Sequence, residues 1–512
     1  MDKYVKDDGS VSPPHHDPVE IAGWMPDVPY VDESAFAEGK VRLPKTIDEL
    51  AAHARREMNI ARYPAKQWCL PRTSPDGTKA LDVLVVGGGQ AGFGVAHALK
   101  RVHIDNILVV ETARRGGEGP WGTYARMPTL RTHKDNGGLE SGIPSLSFRA
   151  WYEVQHGYGS WQSLYKVPTA AWHAYLSWFR DVADIPVRNE TRFEGFSRDP
   201  GGLIAARVAG PTGSYTLFTR ALVLATGIEG NGIRNLPGLI GDDIPRAAYA
   251  HTHDDIDFAA LKGQKVLVLG GGASAYDNAI MAALAGADTY IFHRMKELVS
   301  VNPGTWGEFN GYLAHYVELP PEEKWRFSKT FGTIKSGPPV ATLRRAQSLE
   351  NLVIHPGEGW TKVAREDGRL AVMTAKGTYD ADFLILGTGY RMDLSAVPSL
   401  KDHLGEIALW RDMYTPPADL PGNGLELSPW LNPDFTFCPK PGGPRTWHDQ
   451  VFNFSRGAQL SMGVQTIGLS GIRFGMARLA ASVEKYFFKE DSAVYLKGLQ
   501  SWQTRDLAAL DT

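Results

Sequence analysis

Asp82-Val-Leu-Val-Val-Gly-Gly-Gly-Gln-Ala-Gly-Phe-Gly94 is the stretch that decides the fold, because an apolar run breaks here into glycines and then becomes helical. Gly87, Gly89 and Gly92 have the G-x-G-x-x-G spacing. Gly87 permits a tight turn, Gly89 lets a pyrophosphate approach the backbone, and Gly92 lets the helix pack on the strand. The amino end of the helix offers free N–H groups to phosphates. The residues expected to contact this dinucleotide are Gly87, Gly89, Gln90, Ala91 and Gly92.

A second apolar run supports a dinucleotide-binding fold. Residues 107–110 follow one helix later, and the acid Glu111 comes next, 24 residues after Gly87. A carboxylate at this place typically accepts hydrogen bonds from a ribose. The alternative is a glycine turn formed for backbone reasons alone, followed by a solvated Glu111.

A similar pattern occurs again at Lys265-Val-Leu-Val-Leu-Gly-Gly-Gly-Ala-Ser-Ala-Tyr-Asp277. Gly270, Gly272 and Ala275 have G-x-G-x-x-A spacing, and Arg294 lies 24 residues after Gly270. An arginine where the first motif has an acid favours a 2′-phosphate, and therefore NADPH over NADH. The alternative is that Arg294 is a surface residue at a strand end. The residues expected to bind this second dinucleotide are Gly270, Gly272, Ala273, Ser274, Ala275 and Arg294.

Two apolar strands end in short glycine-containing turns. The first ends in Ala225-Thr226-Gly227, and the second, a closing strand within 381–389, ends in Gly387-Thr388-Gly389. Such turns bring backbone close to a bulky cofactor, and we expect both to contact one. The glycine-rich loop at 114–122 also suggests close packing against a bulky cofactor, and we expect Trp121 in this loop to contact it. The closing strand is expected to return the chain to the first nucleotide-binding domain.

Two dinucleotide sites in one chain are explained by electron transfer from a nicotinamide to a flavin. The predicted fold class is therefore α/β, with two Rossmann-like domains and the NADPH domain inserted in the FAD domain. An N-terminal extension is expected at 1–80, the FAD-binding domain at 81–240 and 380–512, and the NADPH-binding domain at 241–379. A helical insertion at about 295–350 resembles a lid over the active site.

Composition limits the function classes. The 512 residues suffice for two or three domains, and 43% hydrophobic and 22% charged residues indicate an ordinary globular protein. A net charge of −3 with mixed signs gives no basic footprint for nucleic acid or an anionic membrane. No apolar run of about 18 residues is present, so no membrane span is expected.

The cysteines and histidines limit the redox and metal chemistry. Cys69 and Cys438 are far apart in sequence and form no C-x-x-C, which excludes a dithiol close in sequence. The amino terminus lacks an apolar export segment, so a cytoplasmic protein is expected. His15 and His16 lie in a polar tail, where adjacent histidines are more often solvated than metal ligands. No metal is predicted.

Taken together, the chain resembles the class B flavoprotein monooxygenases, a group that includes flavin-containing, Baeyer-Villiger and N-hydroxylating enzymes. The motifs that carry the resemblance span roughly 81–480 in the family's order. They are Gly87 to Gly92, Glu111, the Gly-Pro-Trp that ends at Trp121, Ala225 to Gly227, Gly270 to Ala275, Arg294 and Gly387 to Gly389. The family fingerprint F-x-G-x-x-x-H is incomplete, because residues 245–255 keep only its histidine, His251.

The resemblance implies that NADPH reduces FAD and that O2 then forms a C4a-(hydro)peroxyflavin, which oxygenates a small organic substrate. N- or S-oxygenation, hydroxylation and Baeyer-Villiger insertion all stay open, as does a homo-oligomeric state. Two alternatives are an NADPH oxidase or flavin reductase without oxygen transfer, and a redox-responsive flavoprotein binding module. The sequence identifies no catalytic acid or base.

Overall fold

The computed structural model describes residues 42–502, except for 63, 65, 299–300, 335–336, 367–368 and 465. The histidine pair at 15–16 therefore lies outside the described residues, as does the first half of the predicted N-terminal extension.

The chain mixes strands and helices, with two long runs of consecutive strands. The strands are β1 (Leu81–Val86), β2 (Ile107–Val110), β3 (Val187–Arg188), β4 (Arg192–Arg198), β5 (Ile204–Gly210), β6 (Gly213–Leu224), β7 (Gly232–Arg234), β8 (Tyr249–His251), β9 (Lys265–Leu269), β10 (Asp288–His293), β11 (Leu352–Pro356), β12 (Trp360–Glu366), β13 (Arg369–Thr374), β14 (Thr378–Ala381), β15 (Phe383–Leu386), β16 (Tyr390–Met392) and β17 (Val451–Asn453). The α-helices are α1 (Ile47–Ile60), α2 (Gln90–Arg101), α3 (Phe148–His156), α4 (Ser160–Ser163), α5 (Thr169–Val182), α6 (Ala273–Leu284), α7 (Pro303–Trp306), α8 (Asn310–His315), α9 (Pro321–Thr333), α10 (Val340–Gln347), α11 (Trp410–Met413), α12 (Gln459–Met462) and α13 (Ile472–Gln500).

The first sheet has the strand order β3-β2-β1-β6-β5-β4, and β17 also pairs with β6. β1 is parallel to both β2 and β6, and β17 is parallel to the last residues of β6. Val83, Leu84 and Val85 are fully buried, as expected for a parallel strand covered on both faces. Helix α2 packs against α13 across this core.

The second sheet has the order β11-β10-β9-β15-β8, and every pair in it is parallel. It contains the closing strand, β15, which pairs with β9. Because β15 begins at Phe383, the second sheet includes residues beyond 379, the predicted end of this domain. The chain returns to the first sheet only at β17. The apolar residues of β15 correctly predicted a buried strand. The strand was expected to return the chain to the first domain, but it pairs with β9 and belongs to the second sheet.

The second sheet is built from residues 249–386, which lie between β6 and β17 of the first sheet. The predicted α/β class with one Rossmann-like unit inserted in another is therefore confirmed. Between β10 and β11 the chain forms the four helices α7 to α10. Within the described part of the chain, no helix combines the length and apolar character needed to span a membrane.

His97 is a titratable group inside the first core. It lies on α2, is 2% exposed, and meets the ring of Phe179 edge-on with 5.5 Å between centroids. Burial disfavours the charged imidazole and lowers the pKa of His97 to about 4. The folded state therefore favours the neutral ring.

The substitution His97→Gln is expected to weaken the acid sensitivity of the fold. Because the folded pKa of His97 is depressed, its contribution to stability is complete above the ordinary value of 6.5 and is lost as the pH falls toward 4. Between pH 7.5 and pH 5, we expect wild type to lose about 2 kcal/mol more unfolding free energy than the variant. Melting temperatures at both pH values test this, and equal losses in the two proteins would contradict it.

Candidate functional site

The first glycine loop is held against the end of β6. Gly87 donates its N–H to Val110 O at 2.9 Å, and Ala225 N donates to Val86 O at 2.9 Å. A Cβ at Gly87 would lie 2.5 Å from Ala225 O, and its φ of +105° also favours glycine. A Cβ at Gly92 would lie 1.8 Å from Gly87 O. These glycines allow strand, turn and helix to pack in contact.

The second glycine loop repeats this arrangement. Gly270 N donates to Phe292 O at 2.9 Å, and Gly387 N donates to Leu269 O at 2.7 Å. A Cβ at Gly270 would lie 2.4 Å from Gly387 O. The turns at 225–227 and 387–389 therefore occupy equivalent places, at the carboxyl ends of the parallel strands β6 and β15. This edge is where open α/β sheets bind ligands.

The helices that follow both loops have open amino ends. Gly89 caps α2 and Gly272 caps α6, and neither helix has a side-chain hydrogen bond at its cap. Their first N–H groups and positive dipoles are available to phosphates. A Cβ at Gly272 would meet no atom within 4 Å, so close packing does not explain this glycine. The space beside Gly272 fits a pyrophosphate held against bare backbone.

Glu111 lies beside the first loop. Its carboxylate accepts hydrogen bonds from Gly88 N at 2.6 Å and from Ala113 N at 2.8 Å. These two bonds fix the carboxylate next to the glycine turn, and each oxygen keeps a lone pair for a ribose hydroxyl.

Arg294 follows β10, but it is not the counterpart of Glu111. Gly87 N donates to the residue before Glu111, whereas Gly270 N donates to Phe292 O, so His293 takes the equivalent place and Arg294 is one residue farther along. The Arg294 side chain lies beside Gly359, where an added Cβ would be 2.8 Å from Arg294 Cγ. This side chain is exposed, and among the described residues its guanidinium has no hydrogen bond or salt bridge. An unpaired arginine at this position is available for a phosphate.

Several other predicted residues lie along the same edge. The indole N–H of Trp121 and the hydroxyl of Thr226 are buried without a hydrogen-bond partner in the described structure. Gln90 accepts a hydrogen bond from the indole of Trp172 at 3.3 Å, and the hydroxyl of Thr388 donates to Asn235 O. The remaining predicted residues, Ala91, Ala273, Ser274, Ala275 and Gly389, lie on the first turns of α2 and α6 or in the second turn.

The two edges are joined directly by β7 and β16. β7 follows the turn at 225–227, β16 follows the turn at 387–389, and the two pair antiparallel, with Met392 opposite Gly232 and Tyr390 opposite Arg234. Asn235 N also donates to Gly389 O at 2.8 Å. The two predicted nucleotide sites therefore share one wall.

Sequence reasoning missed a cluster around His253. The ring of His253 stacks on Tyr124 with 3.6 Å between centroids, shares a hydrogen bond with the hydroxyl of Tyr390, and lies 3.2 Å from the Glu229 carboxylate. Tyr124, Glu229 and Tyr390 come within three residues of the predicted cofactor contacts Trp121, Gly227 and Gly389, and His253 comes two residues after His251. The only signal available in the sequence was this adjacency, since none of these residues belongs to a recognisable motif.

His251, the retained histidine of the family fingerprint, is 1% exposed. Its Nε2 contacts Gly389 O at 3.0 Å, and its Nδ1 accepts from His253 N at 3.2 Å. These partners require a neutral ring with the proton on Nε2. Burial lowers the pKa of His251, which favours this form. The residue holds the second turn in place even though the fingerprint is incomplete.

Across the described residues, no group of three or more His, Cys, Asp or Glu side chains could hold a metal ion. Burial raises the pKa of Cys69 to about 12 and that of Cys438 to about 11, and both thiols are free. Neither cysteine has the low pKa of a reactive thiol.

Comparison with known proteins agrees with this architecture. Residues 81–311 match the family described as pyridine nucleotide-disulphide oxidoreductases. An FAD-dependent urate hydroxylase from Xanthomonas campestris is 37% identical over 426 residues, which cover 83% of this chain and 89% of the relative.

Solved structures with a similar fold include three N-oxygenating or hydroxylating enzymes. The ornithine N-hydroxylase of Kutzneria sp. 744 is 17% identical, with a TM-score of 0.61, over 79% of this chain and 99% of its own. The ornithine hydroxylase of Pseudomonas aeruginosa is 14% identical, with a TM-score of 0.63, over 80% and 99%. The L-lysine 6-monooxygenase of Pseudomonas syringae is 19% identical, with a TM-score of 0.59, over 79% and 99%. At these identities the likeness concerns the fold.

Two glycine substitutions are expected to separate packing from ligand binding. Gly92→Ala places a methyl group against Gly87 O, so we expect a loss of about 3 kcal/mol in stability and of any cofactor at the first site. Gly272→Ala meets no neighbouring atom and has φ of −85°, so the melting temperature should hold or rise slightly. Because its methyl group fills the space left for a pyrophosphate, dinucleotide affinity at the second site should fall about tenfold.

Thermal unfolding and dinucleotide titration of both variants provide the measurements. Unchanged dinucleotide affinity in Gly272→Ala would show that the second loop does not cradle a pyrophosphate. A Gly92→Ala protein as stable as wild type would show that the first helix can shift away from its strand.

Proposed function

The chain belongs to the class B flavoprotein monooxygenases, and we propose that it is an NADPH- and O2-dependent FAD enzyme that oxygenates a small organic substrate. The observation that carries the proposal is the pairing of β7 with β16, which joins the two turns at 225–227 and 387–389. A hydride donor at one turn and a flavin at the other would occupy one crevice.

FAD is proposed for the first sheet. The residues that would hold it are Gly87, Gly89, Gln90, Ala91, Gly92, Glu111, Trp121, Ala225, Thr226 and Gly227. The open amino end of α2 would take the pyrophosphate and Glu111 a ribose. The unpartnered Trp121 and Thr226 groups supply further donors. When bound, the reduced flavin would react with O2 to give the C4a-hydroperoxyflavin, which supplies the oxygen atom.

NADPH is proposed for the second sheet, with its pyrophosphate at the open end of α6 and its 2′-phosphate at Arg294. The residues that would hold it are Gly270, Gly272, Ala273, Ser274, Ala275, Arg294, Gly387, Thr388 and Gly389. We propose that the flavin-binding part comprises 81–240 and the chain after β15, and that helices α7 to α10 form the insertion of the NADPH domain.

The substrate proposed first is urate, or an oxidised nitrogen heterocycle like it. The support is the relative from Xanthomonas campestris, named an FAD-dependent urate hydroxylase, which matches 83% of this chain at 37% identity. Hydroxylation is then favoured over N- or S-oxygenation and Baeyer-Villiger insertion.

Disulphide reduction, suggested by the description of the matching family, does not fit this chain. That chemistry needs a thiolate near the flavin. The chain has two cysteines, both are free, and burial raises both pKa values. A flavoprotein that reacts with O2 requires neither.

The central experiment reduces the purified flavoprotein anaerobically with NADPH and mixes it with oxygenated buffer, with and without urate, in a stopped-flow spectrometer. We expect a transient C4a-adduct band and, in steady state, urate consumption that matches NADPH consumption, with one atom from isotopically labelled O2 in the product. NADPH consumption that yields only hydrogen peroxide with every heterocycle tested would instead assign an oxidase. A protein that binds no flavin would overturn the proposal.

Arg294→Gln should weaken NADPH binding selectively. Loss of one charged hydrogen bond to a phosphate raises the KM for NADPH about 10- to 100-fold, whereas the KM for NADH should stay within twofold. The matched control is Lys296→Gln, which removes a neighbouring exposed charge two residues later and should change neither KM. If Arg294→Gln raises both KM values equally, the 2′-phosphate is not its partner.

A further inference from the structure

Arg456 lies where the two predicted cofactor edges meet. It follows β17, and its backbone N–H donates to Gly227 O at 3.0 Å, which fixes it to the first turn. Its guanidinium lies over the ring of Tyr390, 5.6 Å from the centroid, directly after the second turn. Arg456 thus contacts the first turn through its backbone and the strand after the second turn through its side chain.

The guanidinium of Arg456 has no anionic partner in the described structure. It takes part in no hydrogen bond or salt bridge there, although the residue is largely buried. The Glu229 carboxylate, which lies beside His253, and that of Asp254, the residue after His253, already have cationic partners: Glu229 pairs with Arg234 at 3.0 Å, and Asp254 pairs with Arg246 at 2.6 Å. Burial also lowers the pKa of the Arg456 guanidinium, as expected for a desolvated cation without a counter-ion.

Other unsatisfied donors lie beside Ser455 and Gly457, the residues that flank Arg456. The Nδ2 of Asn231 is buried without a partner, and the residue is 1% exposed. Its Oδ1 accepts from Gly457 N at 3.1 Å and from the hydroxyl of Ser455, so the amide orientation is fixed by these donors. The hydroxyl of Thr226 is also unpartnered. An ideal Cβ at Gly230 would lie 2.0 Å from that hydroxyl and 2.7 Å from Ser455 Cβ, which places these groups together.

Cofactor phosphates do not account for this charge. The phosphates proposed for the two dinucleotides have their own partners at the amino ends of α2 and α6 and at Arg294. β17 and β1 lie on opposite sides of β6, so the first glycine loop is about 10 Å from the start of the 454–457 segment. An acceptor-rich ligand other than the phosphates is needed to match Arg456.

We propose that Arg456 binds the substrate and selects a planar heterocycle in its anionic form. This inference rests on the proposed function and specifies its substrate class as a weak acid. Urate fits, because it is negatively charged at neutral pH and carries several carbonyl oxygens. The neighbouring Tyr390 ring, covered by the guanidinium, supplies an aromatic wall.

The test titrates the FAD-loaded enzyme with urate and with hypoxanthine, an oxopurine that is neutral at pH 7, and records the flavin difference spectrum. Wild type is compared with Arg456→Gln, Arg456→Lys and the control Arg391→Gln. The Arg391 side chain is 60% exposed and pairs with Asp393 at 3.4 Å. Its substitution by Gln removes the same charge as Arg456→Gln, one residue from Tyr390.

We expect Arg456→Gln to weaken urate binding about 10- to 100-fold and hypoxanthine binding by less than twofold, because only urate loses a charged hydrogen bond. Arg456→Lys should recover part of the affinity, and Arg391→Gln should bind as wild type. Flavin content and the affinity for NADPH should be unchanged in all variants.

Three outcomes would overturn the inference. Equal losses for both purines would indicate a steric role, unchanged urate binding would remove the residue from the site, and loss of FAD or NADPH affinity would assign it to a cofactor. A wild-type enzyme that NADPH reduces but that binds no anionic heterocycle refutes only the substrate class. Failure of NADPH to reduce the flavin refutes the proposed function itself.

Discussion

The structure depends on a contact between two backbone segments that occurs once in each nucleotide-binding sheet. The first glycine of each loop packs on the carbonyl at the end of a neighbouring strand, Gly87 on Ala225 and Gly270 on Gly387. A Cβ at either glycine would clash with that carbonyl oxygen, so the contact requires glycine. It aligns the glycine loop with the turn that follows the neighbouring strand, and two separate loops then form one edge.

The shared wall follows from this alignment. Because each turn is fixed to its own glycine loop, the pairing of β7 with β16 positions the two loops relative to each other. The cluster of Tyr124, His253 and Tyr390 then fills the junction with rings that also hydrogen-bond. Such a junction is polar, and its groups are costly to bury unless each one finds a partner. The unmatched donors at this place are the observation on which the proposed ligand site rests.

The local elements were predictable, and the contacts between them were not. The apolar runs before Gly87 and Gly270 correctly indicated parallel strands, because such strands are buried on both faces and need no alternation. The equal spacing from each loop to Glu111 and Arg294 did not identify equivalent positions, because the hydrogen bond from Gly270 N to Phe292 O places His293, not Arg294, opposite the loop as Glu111 is in the first sheet. The sequence could not show to which sheet β15 belongs, because an apolar run indicates that a strand is buried but not which strand pairs with it. The junction around His253 and Arg456 brings together residues up to several hundred positions apart, for which the sequence contains no periodic signal.

The energetics of Arg456 connect the ligand-free fold to recognition. A desolvated guanidinium without a counter-ion raises the free energy of the protein, and a cation over an aromatic ring recovers only about 0.5–2 kcal/mol of that cost. The neighbouring Arg234 avoids it by pairing with Glu229. An anion that reaches Arg456 removes this penalty, so part of its binding energy comes from relief of an unfavourable state already built into the protein. A neutral molecule of the same shape gains no such relief, and discrimination by charge therefore follows from leaving one arginine of the junction unpaired.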